Sequence, residues 1–383
     1  MTDDDIPHTA LEGSDIGLVQ YQDQFFDEPF MFDLGGSIPS FNIRYETYGS
    51  LNADASNAIL VCHALTGDHH VAGRYTAEDR KPGWWNSLVG PGRPLDTNKF
   101  FVIGTNCLGG CQGTTGPSSF NPRTGTPYFL DFPQLTLRDM VRAQHRLVSH
   151  LGIKKLHAVI GGSMGGMHAL LWATEYPDSV ARIIALACAA RQNTQAIAFN
   201  EVGRSAILQD PGWQQGRYTK NHGPQVGLAV ARMMSHITYL SDQSLERKFG
   251  RTRRPRTEGE ATTPFDIEFQ VESYLRYQGN SFINRFDANS YLYITKASDR
   301  FDLSEGRTLE DAFAPMSARA LIIGFSSDWL YSPEKNRDIA LAMLRAGKNA
   351  SYAEVEMDAG HDSFLLPSPP LHRSISVFLG SVA

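Results

Sequence analysis

The chain has 383 residues, with 35 basic and 41 acidic side chains and a formal charge of −6. That length suits one large domain with an insertion, or two domains, and the acidic balance argues against nucleic acid or an anionic membrane as partner. The opening MTDDDIPH lacks the segments of a secretory leader, and the most apolar stretch, 183–190, is too short to span a bilayer.

Along the chain, short apolar runs at 59–62, 100–104, 158–160, 183–187 and 320–325 read as buried strands. Helical patterns lie among them, at 135–151, 164–176, 309–313 and 333–346. The first carries Leu137, Met140, Val141, Leu147 and Val148 at helical spacing. Strands alternating with helices predict an α/β protein with a mostly parallel sheet. The alternation breaks at 191–302, where 196–208, 226–240 and 265–277 read as helices and strand signal is weak. A core of 1–190 and 303–383 with a helical lid at 191–302 fits this pattern, and such insertions often cover a site. Residues 247–263, RKFGRTRRPRTEGEATT, read as a polar loop. Cys62 and Cys188 sit in apolar runs, and Cys107 and Cys111 lack zinc-site spacing. All four read as reduced thiols of a cytoplasmic protein.

Residues 158–170 read AVIGGSMGGMHAL. Gly161-Gly162-Ser163-Met164-Gly165 fits G-x-S-x-G between a strand end and a helical pattern, the context that a nucleophile elbow requires. A serine in so tight a turn needs small residues two positions to either side, which Gly161 and Gly165 supply. The following helix would point N–H groups at an oxyanion, with the Met164 N–H as the nearest donor. The plain alternative is a βα turn whose glycines serve only close packing.

A serine nucleophile needs a base. The order Ser, acid, His is met by Asp328, after the strand ALIIGF, and His361, in VEMDAGHDSFL. All three follow strand ends, where parallel sheets place their sites. Asp338, in a helical pattern, and Asp358, close before His361, are weaker orienters. AILVCHALTGDHH turns after Cys62 through His63, Ala64 and Leu65, so the Leu65 N–H is the second candidate oxyanion donor. His69 and His70 have no carboxylate at ligand spacing, so no metal is expected. Phosphate-loop, dinucleotide and zincin motifs are missing from the sequence.

These residues, with SNAILVCHALTGDHH, GWWNSLVGPGRPLDTNKFFVIGTNCLGGCQGTTGPSS, GGSMGGM, IEFQVESYLRYQG, RFDANSYLY and GHDSFL, resemble the homoserine O-acyltransferases of the α/β-hydrolase superfamily over nearly the whole chain. The resemblance implies an α/β-hydrolase fold and a first committed step of methionine synthesis. It implies that Ser163 accepts the acyl group, with Asp328 and His361 as partners. It makes Arg232 the grip on the homoserine carboxylate and Asp362 the contact to its amino group. Read alone, Arg232 is a solvated arginine on a lid helix. The implied substrates are L-homoserine and acetyl-CoA, a co-substrate, with no cofactor or metal. A homodimer through the lid is also implied, with Val226, Leu228, Val230, Met233 and Met234 as its apolar residues.

Members of that family use acetyl-CoA or succinyl-CoA. Succinyl-using relatives tend to carry Trp-Arg after the triad aspartate, whereas this chain reads Asp328-Trp329-Leu330. Leu330 offers no cation to a second carboxylate, which favours acetyl. Trp329 is shared by both types. Relatives that acylate serine read GNSMGG at the elbow, unlike GGSMGG here. An esterase or thioesterase with the same triad is the competing class. Arg251, Arg253, Arg254 and Arg256 could meet the CoA phosphates; the simpler reading is a solvated loop beside Glu258 and Glu260.

Overall fold

A computed structural model of the chain describes residues 16–219, 222–255 and 263–380. Arg256, Glu258, Glu260 and the opening octapeptide lie outside them. Eight strands form one sheet: β1 (Gln22–Phe26), β2 (Phe41–Tyr48), β3 (Ala58–Cys62), β4 (Phe101–Thr105), β5 (Ala158–Gly162), β6 (Arg182–Leu186), β7 (Arg319–Phe325) and β8 (Ala350–Val355). Their order across the sheet is β1-β2-β4-β3-β5-β6-β7-β8. The pairs β1/β2 and β2/β4 are antiparallel, and the remaining pairs are parallel.

The parallel strands are apolar runs because both of their faces are covered. Every residue of β3 and β5 is buried. Alternate residues feed two cores, since side chains along a strand point to opposite faces. Leu60, Val159 and Ile183 pack with Met167 and Leu170 of α2 (Met164–Glu175), beside α1 (Leu137–His150). Ile59, Ile160 and Ile184 face the other core, with Trp85, Leu371 and Ile375. Helix α1 starts where Thr136 and Asp139 form a reciprocal capping box.

Between β6 and β7 the chain is helical: α3 (Thr194–Gln209), α4 (Gln225–Tyr239), α5 (Asp242–Phe249), α6 (Gln270–Ile283) and α7 (Ala288–Asp299). Glycines let α3, α4 and α6 approach closely. A methyl group on Gly227 would sit 2.3 Å from the Ala206 carbonyl oxygen, and one on Gly279 would sit 2.9 Å from that of Ala229. The chain closes with α8 (Leu309–Phe313), α9 (Pro333–Arg345) and α10 (Pro369–Leu379). Among the described residues no helix is long and apolar enough to cross a membrane.

Three strands, β1, β2 and β8, are not apolar runs and escape a search for them. β1 and β8 lie at the sheet edges and bury little, and β2 (FNIRYETY) carries the alternation of a half-covered strand. Helices α5 and α7 also go beyond the sequence reading. α6 begins at Gln270 rather than 265, because Glu272 accepts the Phe269 N–H there, while Phe265 is 88% exposed. The loop assigned to 247–263 loses its first residues to α5, whose last turn places Arg247 and Lys248 at the negative end of the helix dipole.

Candidate active site

Ser163 follows β5 and caps α2 with φ 57° and ψ −123°, a strained conformation for a residue with a side chain. The glycines around it are required by contact. A methyl on Gly165 would lie 2.1 Å from the Cys62 carbonyl oxygen, and one on Gly161 would lie 2.4 Å from the Gly165 carbonyl carbon. The Ser163 N–H donates to Leu186 O at 2.9 Å, which ties the turn to β6.

His361 Nε2 lies 2.9 Å from Ser163 Oγ, and His361 Nδ1 lies 2.8 Å from Asp328 Oδ2. Sequence separations of 198 and 33 residues close into one hydrogen-bonded chain. Asp328 is buried, and its other oxygen accepts from the Leu330 and Tyr331 N–H groups at 3.0 and 2.9 Å. The carboxylate is therefore held by its own loop and aimed at the imidazole. Burial works against a charged His361, but the charge and hydrogen bond of Asp328, with the charge of Asp362, outweigh it and hold the imidazole above its ordinary value. Gly360 lets the histidine loop press on the α4–α5 junction; a methyl there would sit 2.4 Å from the Ser241 nitrogen.

Leu65 and Met164 both line the smaller of two spaces that touch Ser163. Neither of their N–H groups has an acceptor among the described residues. His63 sets the first one. The Cys107 N–H donates to His63 Nε2 at 3.0 Å, so the ring proton sits on Nδ1 and is donated to Ala64 O at 2.7 Å. Gly67 N–H donates to the same carbonyl at 2.9 Å. Because C=O and N–H of one trans peptide point in opposite directions, this turns the Leu65 N–H away from those donors. Burial lowers the pKa of His63, which keeps the ring neutral and the tautomer constant.

A cavity of about 990 Å³ opens above the serine, lined in part by Ser163, His361, Asp362 and Arg232. Arg232, on α4, donates to Thr66 Oγ1 at 3.1 Å and lies over the Phe282 ring at 4.8 Å. The structure adds Arg285, which the sequence reading did not single out. It follows α6, donates to Thr66 O at 2.8 Å, and approaches Asp68 at 3.8 Å. Crowding by protein and the charge of Arg232 both work against its protonated form. Two guanidinium groups thus converge on Thr66, and both lie near the Phe282 ring. No local sequence signal marks Arg285 apart from its place in RFDANSYLY.

A second, smaller space of about 50 Å³ also touches Ser163. Leu330 and Tyr331 line it, together with Leu65, Met164, Phe199 and Met234. Trp329 lines neither space. It is 36% exposed, donates its indole N–H to Leu240 O at 2.9 Å, and meets Phe199 edge-on. Its neighbours make it a tie between core and insertion, and it does not take the specificity position that the resemblance implies for it. His69 and His70 surround Glu46, which also accepts from Tyr48 and Tyr75. Among the described residues no three His, Cys, Asp or Glu side chains form a metal-holding group. All four cysteines are free.

The sheet order, the strained serine and the hydrogen-bonded Ser-His-Asp chain define an α/β hydrolase, and residues 57–367 match the family model described as alpha/beta hydrolase fold. The chain is 54% identical over 361 residues to a homoserine O-acetyltransferase from Mesorhizobium japonicum, covering 93% of this chain and 92% of that one. It is 50% identical over 370 residues to a homoserine O-succinyltransferase from Halothiobacillus neapolitanus, covering 96% and 91%. Among solved structures, the homoserine O-acetyltransferase from Bacillus anthracis superposes with a TM-score of 0.87 at 32% identity, covering 94% and 98%. Esterase E22 superposes with a TM-score of 0.85 at 30% identity, covering 94% and 100%. The chain belongs to the homoserine O-acyltransferase family of alpha/beta hydrolases.

Proposed function

We propose that this chain moves the acetyl group of acetyl-CoA to the hydroxyl of L-homoserine through an acyl-Ser163 intermediate, serving methionine synthesis in the cytoplasm. The observation that carries the reading is one cavity holding the Ser163–His361 hydrogen bond together with Arg232, Arg285 and Asp362. In the first half-reaction His361 takes the Ser163 proton, the serine oxygen attacks the thioester carbonyl, and the CoA thiolate leaves with that proton. In the second, His361 deprotonates the homoserine hydroxyl, which attacks the acyl-serine ester and releases Ser163. The Leu65 and Met164 N–H groups face both tetrahedral oxyanions. The Arg232 fork suits the acceptor carboxylate, and Asp362 suits its ammonium group.

The acetyl preference draws on the smaller space. Its lining includes Leu330 and carries no Arg, Lys or His, so a succinyl carboxylate would enter it unpaired at a cost of several kcal/mol. Its volume suits a two-carbon group. The test is a competition of equimolar acetyl-CoA and succinyl-CoA for homoserine, read by mass spectrometry, with Ser163→Ala as control. O-acetylhomoserine, absent in the control, is the expected product. O-succinylhomoserine would overturn the donor assignment alone. Free CoA with unmodified homoserine would make water the acceptor and the chain a hydrolase.

We also propose a homodimer through the insertion. Val226 and Val230 on α4 are 73% and 40% exposed, and Met233 and Met234 are half-buried. Leu228 leaves the set, since it is buried in the chain's own core. Sedimentation giving a concentration-independent monomer would overturn this.

A further inference from the structure

Arg285 lines the same cavity as Ser163 and Arg232, and the turn that carries it is held from several sides. It sits between α6 and α7. Its N–H donates to Phe282 O at 3.0 Å, continuing the last turn of α6. Its carbonyl accepts from Gln112 Nε2, in the core loop after β4. Two residues on, Asp287 caps α7 by accepting from the Ser290 N–H at 2.8 Å, and it also accepts from Tyr218 OH at 2.8 Å. Core and insertion together therefore fix the backbone from which the Arg285 side chain starts.

That side chain meets Arg232 at one residue. Arg285 Nη1 donates to Thr66 O at 2.8 Å, and Arg232 Nη1 donates to Thr66 Oγ1 at 3.1 Å. Their central carbons lie 5.5 and 4.8 Å from the Phe282 ring centroid. The close approach of α6 to α4 at Gly279 keeps the two guanidinium groups near one another. Like charges so placed repel, and the charge of Arg232, after crowding by protein, works against protonated Arg285. Asp68 offsets this only in part. It lies 3.8 Å from Arg285, beyond hydrogen-bond reach, and one of its oxygens already accepts the His70 N–H at 3.0 Å. Among the described residues neither guanidinium makes another hydrogen bond, so both keep N–H donors in reserve. The Arg285 side chain is 41% exposed while lining the cavity. The pair is also placed relative to the chemistry. The Tyr239 ring centroid lies 5.9 Å from the Arg232 central carbon and 5.9 Å from the His361 ring centroid, so guanidinium and base share one neighbour. Thr66 itself follows Leu65, the candidate oxyanion donor.

We propose that Arg285 is a second ligand for the acceptor's carboxylate, which it shares with Arg232, and that the pair makes a carboxylate a requirement for acceptors. The proposal rests on the transferase reading above and adds the residue that enforces acceptor choice. A carboxylate has two oxygens, each with room for more than one hydrogen bond, so two guanidinium groups can share it. Its negative charge also relieves the repulsion between them. An acceptor of the same length without a carboxylate leaves that repulsion in place and the reserve donors unused, so the site selects against it as well as for homoserine.

The experiment compares L-homoserine with 3-aminopropan-1-ol, which keeps the hydroxyl and the amine at the same spacing and lacks the carboxylate. Acetyl-CoA is the donor, and the proteins are wild type, Arg285→Ala and Arg285→Lys, each checked for its fold by circular dichroism. In Arg285→Ala the KM for homoserine should rise roughly tenfold to a hundredfold, while kcat/KM for 3-aminopropan-1-ol stays in place. Arg285→Lys, which keeps the charge and loses the fork, should fall between. The burst of CoA released on acylation of Ser163, which needs no acceptor, should keep its rate in all three. An unchanged KM for homoserine would overturn the proposal. So would an equal loss with 3-aminopropan-1-ol or in the CoA burst, because Arg285 would then only support the Thr66 loop; either result leaves the transferase reading intact. Titration of L-homoserine into Ser163→Ala, with and without Arg285→Ala, gives a readout independent of turnover, and the double variant should bind more weakly by a similar factor. Wild type that acylates neither acceptor would overturn the transferase reading, and the titration would then decide the proposal alone: binding weakened by Arg285→Ala upholds it, and binding unchanged overturns it.

Discussion

The sheet core and the helical insertion solve different problems with the same kind of packing. The core holds Ser163, Asp328 and His361 within hydrogen-bond reach, and the glycines beside Ser163 and His361 have no room for a methyl group. The insertion contributes Arg232, on α4, and Arg285, just after α6, both donating to a threonine of the core. The Ser-His-Asp chain is thus built wholly on the sheet core, and the two guanidinium groups that line the same cavity come from the insertion. Sites on rigid elements keep the geometry that proton transfer needs, whereas a cation acts over a longer range and tolerates displacement.

The comparison predicts separable failures. The largest effect should come from the core: Ser163→Ala should lower kcat by roughly 10⁴-fold or more with the fold intact, read by transfer assay and circular dichroism. Gly165→Val should fail differently, losing about 3 kcal/mol or more of stability in urea titration, because its side chain would meet the Cys62 carbonyl. Next comes the insertion. Arg232→Ala should lower kcat/KM for homoserine by roughly a hundredfold, while the burst of CoA released on acylation of Ser163 keeps its rate. An equal loss in both half-reactions would erase the distinction between the two regions.

Smaller effects sharpen it. The base must be neutral to act, and the His361 pKa is raised, so the acid limb of kcat/KM should fall above the ordinary value of 6.5. Asp362→Asn removes one of the raising charges and should move that limb to lower pH. His168, on α2, is buried, has neither ring nitrogen partnered among the described residues, and has a pKa lowered by burial to about 3. Its unfolded form takes up a proton below 6.5 that the folded form refuses, so stability should fall as pH drops from 6.5 toward 3, by up to about 1.4 kcal/mol per pH unit. His168→Leu should flatten that slope in thermal melts. At the far end, Arg253→Ala on the exposed insertion surface should leave the melting temperature unmoved, since exposed ion pairs contribute little.

Much of the site was legible before any coordinates. The strand–turn–helix context of Ser163 is local, and a nucleophile elbow constrains residues within two positions of itself. The order of Asp328 and His361 follows from strand-end loops in a parallel sheet. The fully buried strands announce themselves as apolar runs, and the edge strands β1 and β8 do not, because one side of each has no neighbour to bury against. β2 shows its alternation only to a search for period two.

Sequence alone therefore determined the class of fold, the three residues of the hydrogen-bonded chain and the small residues that make room for them. All of these follow from short-range sterics or from chain order. Tertiary structure decided what lies across the cavity. It brought Arg285 and Arg232 to the same threonine, took Trp329 away from both spaces, and tied His63 to Cys107 so that the Ala64 peptide turns. Those placements depend on contacts between segments scores to hundreds of residues apart, and a side chain's own neighbours in sequence carry no trace of which distant surface it will face.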